Sequence, residues 1–167
     1  MVNRLAGKVA FITGAGSGLG RSMALCMAQE GASIAIADIN LVNARNVANE
    51  IRALKGKALA MKVDVRSSAQ VAKAIQRTLT RFGKIDIAVN DAGTGGEHIG
   101  PPLTDIPDED FDSIFDINVK GIFIVCKAVM PHMKQRKSGK IRSQKVKPFH
   151  DECSSWRLRV SANGVPI

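Results

Sequence analysis

The chain has 167 residues, 45% of them hydrophobic and 23% charged, which is enough for one globular domain and too little for two. That composition excludes intrinsically disordered and collagen-like proteins. The net charge of +9 arises from one stretch, because residues 117–150 contain nine Lys or Arg and no Asp or Glu, while the rest of the chain is neutral in sum.

Neither a membrane segment nor a secretion signal is evident. The longest apolar run near the centre, Ile122–Cys126, falls far short of the roughly 20 residues that a membrane span needs. A short apolar run near the start has no cleavage-site pattern after it. The three cysteines are widely spaced and odd in number, which favours a reducing compartment over a disulfide framework. We therefore predict a cytoplasmic protein.

Apolar runs of strand length alternate with segments of helical period along the first part of the chain. Strands are predicted at residues 8–13, 33–38, 58–63 and 85–89. Each of the first three is followed by a helix with one apolar face, drawn from Leu19, Met23, Cys26 and Met27, from Val47, Ile51 and Leu54, and from Val71, Ile75, Leu79 and Phe82. This alternation predicts a parallel α/β sheet with helices on both faces.

The segment after the fourth strand has a different character. A loop rich in Gly and Pro over residues 91–107 leads into one long helix, predicted over residues 108–133 and beginning with acidic side chains. Residues 138–141 look like a turn into a fifth strand. Beyond Ile141 neither period persists, and only one of the 15 glycines, Gly164, remains. We predict a globular domain over residues 1–141 and an irregular tail over residues 142–167.

A glycine-rich turn, Thr13–Gly20, joins the first strand to the first helix. Gly14, Gly18 and Gly20 follow the pattern T-G-x-x-x-G-x-G, and the dinucleotide spacing G-x-G-x-x-G is not met. Glycines let the backbone approach a pyrophosphate closely, and the start of a helix offers unpaired N–H groups to the anion. The turn therefore predicts a dinucleotide site; a tight turn that binds nothing is the alternative.

Four further motifs follow in an order that resembles the short-chain dehydrogenase/reductase family. Asp38 ends the second strand, and Asp64-Val65 ends the third. Asn90–Gly93 is similar to the family's N-N-A-G motif, with Asp in place of the second Asn, and Asn118 matches the asparagine of the catalytic tetrad. The resemblance covers residues 1–141 and implies a Rossmann-like, doubly wound parallel sheet that is incomplete, with strand order 3-2-1-4.

The resemblance implies NAD as the cofactor and assigns a part of it to each motif. The pyrophosphate is expected against Gly14, Ser17, Gly18 and Leu19, the ribose against Asp38, the adenine against Asp64 and Val65, and the inner side of the cofactor against Asn90, Ala92 and Gly93. A carboxylate at Asp38 accepts hydrogen bonds from the ribose hydroxyls and repels the 2′-phosphate of NADP. A solvated aspartate at the end of a strand is the alternative for Asp38.

The catalytic residues of the family are mostly absent. Relatives transfer a hydride between a cofactor and an alcohol or ketone with a Tyr-x-x-x-Lys pair and a Ser, yet this sequence contains no tyrosine. By spacing, the serine would fall near Lys145 and the tyrosine near Leu158; Ser143 is close to the first position but receives no role. Asn118 alone remains of the tetrad.

The resemblance thus implies an NAD-dependent oxidoreductase that is truncated and inactive while still binding NAD. The alternatives are a regulatory pseudoenzyme that binds NAD and a non-functional product. The tail is interpreted as sequence foreign to the family, and a divergent tail with a role of its own is the alternative.

Loss of the later strands also has a structural consequence. The fourth strand would become an exposed edge, and the long helix would expose an apolar face that relatives cover. That face comprises Phe111, Ile114, Phe115, Ile122, Val125 and Val129. We predict self-association through the helix at residues 108–133 or through the fourth strand.

No metal site is predicted. His150 and Cys153, with His132 and Cys126 nearby in sequence, match no zinc spacing. His98 lies in the loop after the fourth strand and is expected to be a solvated histidine.

Binding of nucleic acid or of an acidic surface by the basic stretch is a further alternative function, and of the two we do not expect nucleic acid. Only Phe149 and Trp156 stand near it as aromatics that could stack on bases. Part of its charge also suits the C-terminal end of the long helix, where cations are favoured.

Overall fold

A computed structural model describes residues 3–95 and 103–143. The strands are β1 (Val9–Thr13), β2 (Ser33–Asp38), β3 (Ala58–Lys62), β4 (Ile87–Asn90) and β5 (Lys140–Ser143). The helices are α1 (Gly18–Gln29), α2 (Leu41–Ala53), α3 (Ser68–Phe82), α4 (Asp108–Phe115) and α5 (Gly121–Gln135). A 3-10 turn spans Leu103–Asp105, and a π-helical turn spans Asp116–Lys120.

The strands form one parallel sheet in the order β3-β2-β1-β4-β5, which confirms the predicted doubly wound architecture. All five residues of β1 are buried, as expected for a central strand covered on both faces. β2 and β3 lie on one side of β1, whereas β4 and β5 lie on its other side, so the order in which strands are added to the sheet reverses after β3. In doubly wound sheets, ligands bind outside the carboxyl ends of the strands at such a switch point.

The core lies in two layers on either side of the sheet. Helices α1 and α2 cover one face, where Ile12, Ile36 and Ile51 are fully buried. Helices α3 and α5 cover the other, where Phe11, Val71 and Val129 are fully buried. The apolar faces predicted for the second and third helices therefore point into the core, except that Leu54 follows α2 and is exposed.

Helix α1 packs differently from the sequence prediction. Its fully buried residues are the small Gly20 and Ala24, whereas Met23 and Met27 are partly buried and Leu19 is exposed. Small residues at the contact let the helix lie close to the sheet, which brings its first turn next to the end of β1.

The fourth strand is not the edge that the sequence predicted. β5 pairs with it in parallel, with Ile87 opposite Lys140 and Asn90 opposite Ser143. The turn into a fifth strand that the sequence predicted at residues 138–141 is confirmed, although all four residues of β5 are exposed. Backbone pairing, with one side-chain hydrogen bond from Asn90 to Ser143, places β5 there. The described sheet therefore has five strands, with β5 at the edge.

The single long helix predicted over residues 108–133 is two α-helices joined by the π turn. The wider turn changes the register between them, so the predicted apolar face is divided. Val125 and Val129 are buried against the sheet, whereas Phe111 and Phe115 are about half exposed. A stripe of exposed apolar side chains, the apolar stripe, follows instead at Phe111, Phe115, Val119 and Phe123.

An ion cluster fastens α5 to the amino ends of the strands. The buried Asp86 carboxylate accepts the Val9 N–H at 2.9 Å, pairs with Arg136 at 3.0 Å and with Lys84 at 3.3 Å. His132 of α5 accepts the Ile85 N–H through Nε2 at 3.2 Å. These contacts hold the end of the sheet opposite to the glycine-rich turn.

Candidate functional site

A cleft of about 420 Å³ opens where the carboxyl ends of the strands meet the glycine-rich turn. This volume is within the usual range of small-molecule sites. Nine of the eleven residues predicted to form the site line the cleft: Gly14, Ser17, Gly18, Leu19, Asp38, Asp64, Val65, Ala92 and Gly93. Residues from four separate segments of the sequence are thus brought to one place by the parallel order of the strands.

The glycine-rich turn is closely packed against the turn that follows β4. Gly14 has a φ of 67°, and a Cβ added to it would lie 2.8 Å from the Ala92 nitrogen and Cα. The Thr13 hydroxyl oxygen accepts the N–H groups of Asp91 and Ala92, each at 3.2 Å. A side chain at Gly14 would therefore separate the two turns and disturb one wall of the cleft.

The start of α1 points its first turn at the cleft. Ser17 is the N-cap residue, yet its side chain makes no capping hydrogen bond. Ser17, Gly18 and Leu19 are all exposed and line the cleft. The N–H groups of a first helical turn have no partner within the helix, and the helix dipole is positive there. This arrangement suits an anion such as a pyrophosphate.

Asp38 is held in place at the end of β2. Its Oδ2 accepts the Gly16 N–H at 2.7 Å, and its Oδ1 accepts the Asn40 N–H at 2.8 Å. Asn40 in turn caps α2, because its side chain accepts the N–H groups of Val42 and Asn43. The carboxylate is fixed beside the glycine-rich turn at the rim of the cleft, where it can accept further hydrogen bonds from a ligand's hydroxyl groups.

Asp64 carries a partner that the sequence analysis missed. The Arg66 guanidinium donates to both carboxylate oxygens, with Nη2 2.7 Å from Oδ2, and the Arg66 N–H donates to Oδ1 at 2.9 Å. Hydrogen bonds from the Arg66 side chain hold the pKa of Asp64 below its usual range. Asp64 is therefore ionised and oriented at neutral pH, and Arg66 itself lines the cleft.

Asn90 and Asn118 do not line the cleft. Asn90 is buried beneath it, where Nδ2 donates to Ser143 Oγ at 3.2 Å and lies 3.6 Å from Cys126 Sγ. Asn118 lies in the π turn and holds the backbone of Thr94, with Oδ1 accepting its N–H at 2.9 Å and Nδ2 donating to its carbonyl oxygen at 2.8 Å. Both side chains support the walls of the cleft from behind.

Several residues of the cleft were not singled out by the sequence analysis. They are Ile39, Val63, Arg66, Asp91, Thr94 and Ile117. Asp91 had a signal in the sequence, because it is the residue that departs from the family's N-N-A-G motif. Ile117 and Thr94 had none, since their position depends on the π turn and on the path of the chain after β4.

Within residues 3–95 and 103–143, no group of three or more His, Cys, Asp or Glu side chains is placed to hold a metal ion. In the same ranges no helix has the length and apolar character to cross a membrane. His98, the tail beyond residue 143 and the aromatics Phe149 and Trp156 lie outside the described residues.

A family model described as short chain dehydrogenase matches residues 8–142, which is more than half of the chain. The chain belongs to the short-chain dehydrogenase family. It is 38% identical over 138 residues to 7alpha-hydroxysteroid dehydrogenase of Escherichia coli strain K12. That alignment covers 83% of this chain and 52% of the relative. The member described here therefore spans about half the length of the curated relatives it matches.

Two solved structures superpose well on this chain. A 7 alpha-hydroxysteroid dehydrogenase in complex with NADH and 7-oxo glycochenodeoxycholic acid has a TM-score of 0.78 and 38% identity, covering 84% of this chain and 54% of the other. NAD+-bound xylitol dehydrogenase has a TM-score of 0.80 and 35% identity, covering 84% of this chain and 53% of the other.

Proposed function

We propose that this chain binds NAD as the dinucleotide-binding part of a short-chain dehydrogenase. One observation carries the proposal: the Asp38 carboxylate, the glycine-rich turn and the first turn of α1 border a single cleft, with Asp38 hydrogen-bonded to Gly16 at 2.7 Å. This pairs a site for an anion with a fixed acceptor beside it, as a nucleoside diphosphate requires.

The residues present fit NAD. The Gly14 backbone packs so closely on Ala92 that a Cβ has no room there. Ser17, Gly18 and Leu19 line the cleft beside it, and their N–H groups would bind a pyrophosphate. Asp38 would accept the adenosine ribose hydroxyls. Asp64 and Val65 would bind the adenine, and Ala92 and Gly93 would lie along the inner side of the cofactor, with Asn90 behind them. The carboxylate of Asp38 supports a preference for NAD over NADP, because it would repel a 2′-phosphate.

We further propose that the chain alone has little or no dehydrogenase activity. NAD, when bound, accepts a hydride from an alcohol, and its reduced form gives one to a ketone. That chemistry also needs a group that moves the proton of the hydroxyl, and the family's tyrosine is absent from all 167 residues. Asn118, held by Thr94, is the one matching member of the tetrad. Regulation through NAD binding is the alternative role.

Ligand binding by the full chain tests this proposal. We expect NAD+ to raise the melting temperature by several degrees and NADP+ to have little effect, since a ligand that binds only the folded state stabilises it. Incubation with NAD+ and a panel of secondary alcohols should yield no NADH. Absence of a response to NAD+ would overturn the binding proposal, whereas clear turnover would overturn only the proposal of inactivity.

The apolar stripe supports a proposal of self-association through α4 and α5. Its members stand four residues apart, and Phe123 is 63% exposed. Phe111 and Phe115 form a ring pair with centroids 4.3 Å apart, so these two members of the stripe make one aromatic surface. Contiguous exposed apolar surface is typical of protein interfaces. Self-association through the fourth strand is no longer proposed, because β5 covers it.

We also propose a cytoplasmic location, to be tested by fractionation of cells that express the full chain.

A further inference from the structure

Asp91 occupies an unusual place in the cleft. It directly follows β4, and its backbone N–H donates to the Thr13 hydroxyl oxygen at 3.2 Å, which fixes it to the end of β1. Its carboxylate lies under the first turn of α1, because Oδ2 would be only 2.8 Å from a Cβ added to Gly20. The side chain therefore sits between the sheet and the helix start that faces the cleft.

The Asp91 carboxylate has no positively charged partner in the part of the chain that the structure describes. No Lys or Arg within the described residues pairs with Asp91, and the group is partly buried. Burial raises the pKa of Asp91 to about 6, although the Gly20 N–H lowers it in part. The pKa of an aspartate in an ordinary environment is about 3.9, so such a side chain would already be ionised at about pH 6.

The other charged groups around the cleft have hydrogen-bond or ion-pair partners of their own. Asp38 is bound by the N–H groups of Gly16 and Asn40, and Asp64 is paired with Arg66. Arg21 is the one charged residue of α1. It pairs with Glu50 of α2 and does not line the cleft. Within the described residues, β1 contributes no side chain to the lining, and the π turn contributes only Ile117.

Two titratable groups elsewhere bear on a pH experiment. Among the described residues, His132 is the one histidine, and it accepts the Ile85 N–H at the opposite end of the sheet. Asp86 lies beside it in the ion cluster, with its pKa held below the usual range. Neither faces Asp91.

We propose that Asp91 is a positioning residue for the start of α1 whose negative charge weakens the binding of a pyrophosphate, so that NAD binding takes up a proton at this side chain. The inference rests on the proposed NAD site. The pyrophosphate carries two negative charges and is expected at the same helix end that the carboxylate already faces. Like charges held close together in a partly desolvated site favour protonation of one of them.

Asp91 stands in the motif Asn90–Gly93 where the family's N-N-A-G motif has its second Asn, and this substitution has a chemical consequence. The family pattern has a neutral asparagine here, which can accept the same backbone hydrogen bond without the charge. Aspartate makes the affinity for the dinucleotide depend on pH. We expect NAD+ to bind about five- to tenfold more tightly at about pH 5.5 than at about pH 7.5.

Calorimetric titration of the full chain with NAD+ at about pH 6.5 tests the proposal directly, in two buffers that differ in ionisation enthalpy. The difference in apparent binding enthalpy between the buffers gives the number of protons taken up. We expect a substantial fraction of one proton for the wild-type chain. Asp91→Asn should take up none, and should bind NAD+ at neutral pH at least as tightly as the wild-type chain does at low pH.

A matched control is Asp112→Asn, which removes a carboxylate from the exposed surface of α4. It should retain the proton uptake and the pH dependence of the wild-type chain. Binding of NAD+ with no proton uptake and equal affinity at both pH values would overturn the role of Asp91 and leave the NAD proposal standing. Absence of NAD+ binding at every pH, in the wild-type chain and in Asp91→Asn, would overturn both.

Discussion

The Asp38 carboxylate lies 2.7 Å from the Gly16 nitrogen, so the acidic end of β2 is fastened to the middle of the glycine-rich turn. A Cβ added to Gly16 would lie 2.8 Å from this carboxyl group. The two segments are separated by a complete helix in the sequence. Their contact makes the acceptor for a ribose and the backbone that faces a pyrophosphate parts of one rigid unit.

Replacement of this carboxylate should change which dinucleotide binds. We expect Asp38→Asn to weaken NAD+ binding by about tenfold, because a hydrogen bond to a charged acceptor contributes roughly 1–1.5 kcal/mol more than one to the neutral amide oxygen. Binding of NADP+ should strengthen, since the repulsion of its 2′-phosphate is removed. Dissociation constants for both cofactors measure this directly. Asp112→Asn is the control, and unchanged discrimination in Asp38→Asn would contradict the assignment.

Two glycines of the same turn should respond very differently to alanine. A Cβ at Gly20 would lie against the Gly14 carbonyl group and 2.8 Å from Asp91 Oδ2, whereas a Cβ at Gly18 meets nothing within 4 Å. We expect Gly20→Ala to lower the free energy of unfolding by about 2–3 kcal/mol, because backbone atoms must move.

Gly18→Ala should lower the same free energy by only about 1 kcal/mol, which is the cost of a left-handed conformation at φ 52°. Urea denaturation of the two variants gives the comparison. Equal losses would mean that the turn is not packed as closely on the sheet as the distances indicate.

The ionised Asp86 carboxylate should stabilise the folded state at neutral pH. Burial raises the pKa of Asp86, but hydrogen bonds from Val9, Arg136 and Lys84 outweigh it and hold the pKa below its usual range. Its stabilisation is therefore present above the unfolded value of about 3.9 and is lost as the pH falls through the lower folded value. We expect Asp86→Ala to lower the free energy of unfolding at neutral pH by about 2–3 kcal/mol, because it leaves the buried Val9 N–H without an acceptor and removes the partner of the half-buried Arg136 and Lys84.

The loss in Asp86→Ala should become smaller in strong acid, where the wild-type carboxyl is itself protonated. Asp112→Ala, at an exposed carboxylate, should change the unfolding free energy little at either pH. Urea titrations at neutral pH and in strong acid decide the matter, and a loss that is independent of pH would exclude an ionic origin.

The ionised Asp91 carboxylate should destabilise the folded state at neutral pH, whereas that of Asp86 stabilises it. Its folded pKa of about 6 exceeds the unfolded value, so the folded state binds the proton more tightly. Stability attributable to this group is full below the unfolded pKa, falls as the pH rises toward about 6, and is constant above that. Asp91→Asn should therefore be more stable than the wild-type chain at neutral pH by about 1–2 kcal/mol, given the partial exposure of the group.

This advantage of Asp91→Asn should shrink as the pH is lowered toward about 4, where the wild-type carboxyl becomes neutral as well. Urea denaturation at several pH values without any ligand measures it. An equal or lower stability of the variant at neutral pH would show that the carboxylate is not destabilised where it lies.

The apolar stripe should govern the oligomeric state. We expect Phe123→Glu to shift the full chain toward the monomer in sedimentation experiments, because a charge would be buried in the interface. Leu54→Glu is the matched control, since Leu54 is 54% exposed but lies after α2, away from the stripe. Similar sedimentation of the wild-type chain and Phe123→Glu would exclude the stripe as the contact.

The sequence alone determined the alternation of strands and helices as far as β4, the sheet class and which residues end the parallel strands. These depend on local properties: apolar runs of strand length, helical spacing such as that of Val71 and Ile75, and glycines at fixed positions after β1. Because the strands are parallel, their carboxyl ends meet at one edge. The positions of Gly14, Asp38 and Asp64 in the cleft therefore followed from the sequence.

Only the tertiary structure decided how distant segments meet. The sequence predicted a turn into a fifth strand, but the pairing of β5 with β4, through the backbone and the Asn90–Ser143 hydrogen bond, was seen only in the structure. The π turn divides the long helix and turns Phe111 and Phe115 toward the surface. The state of Asp91 depends on its burial under α1, where no Lys or Arg of the described residues pairs with it. Such an environment arises from contacts between residues far apart in the chain.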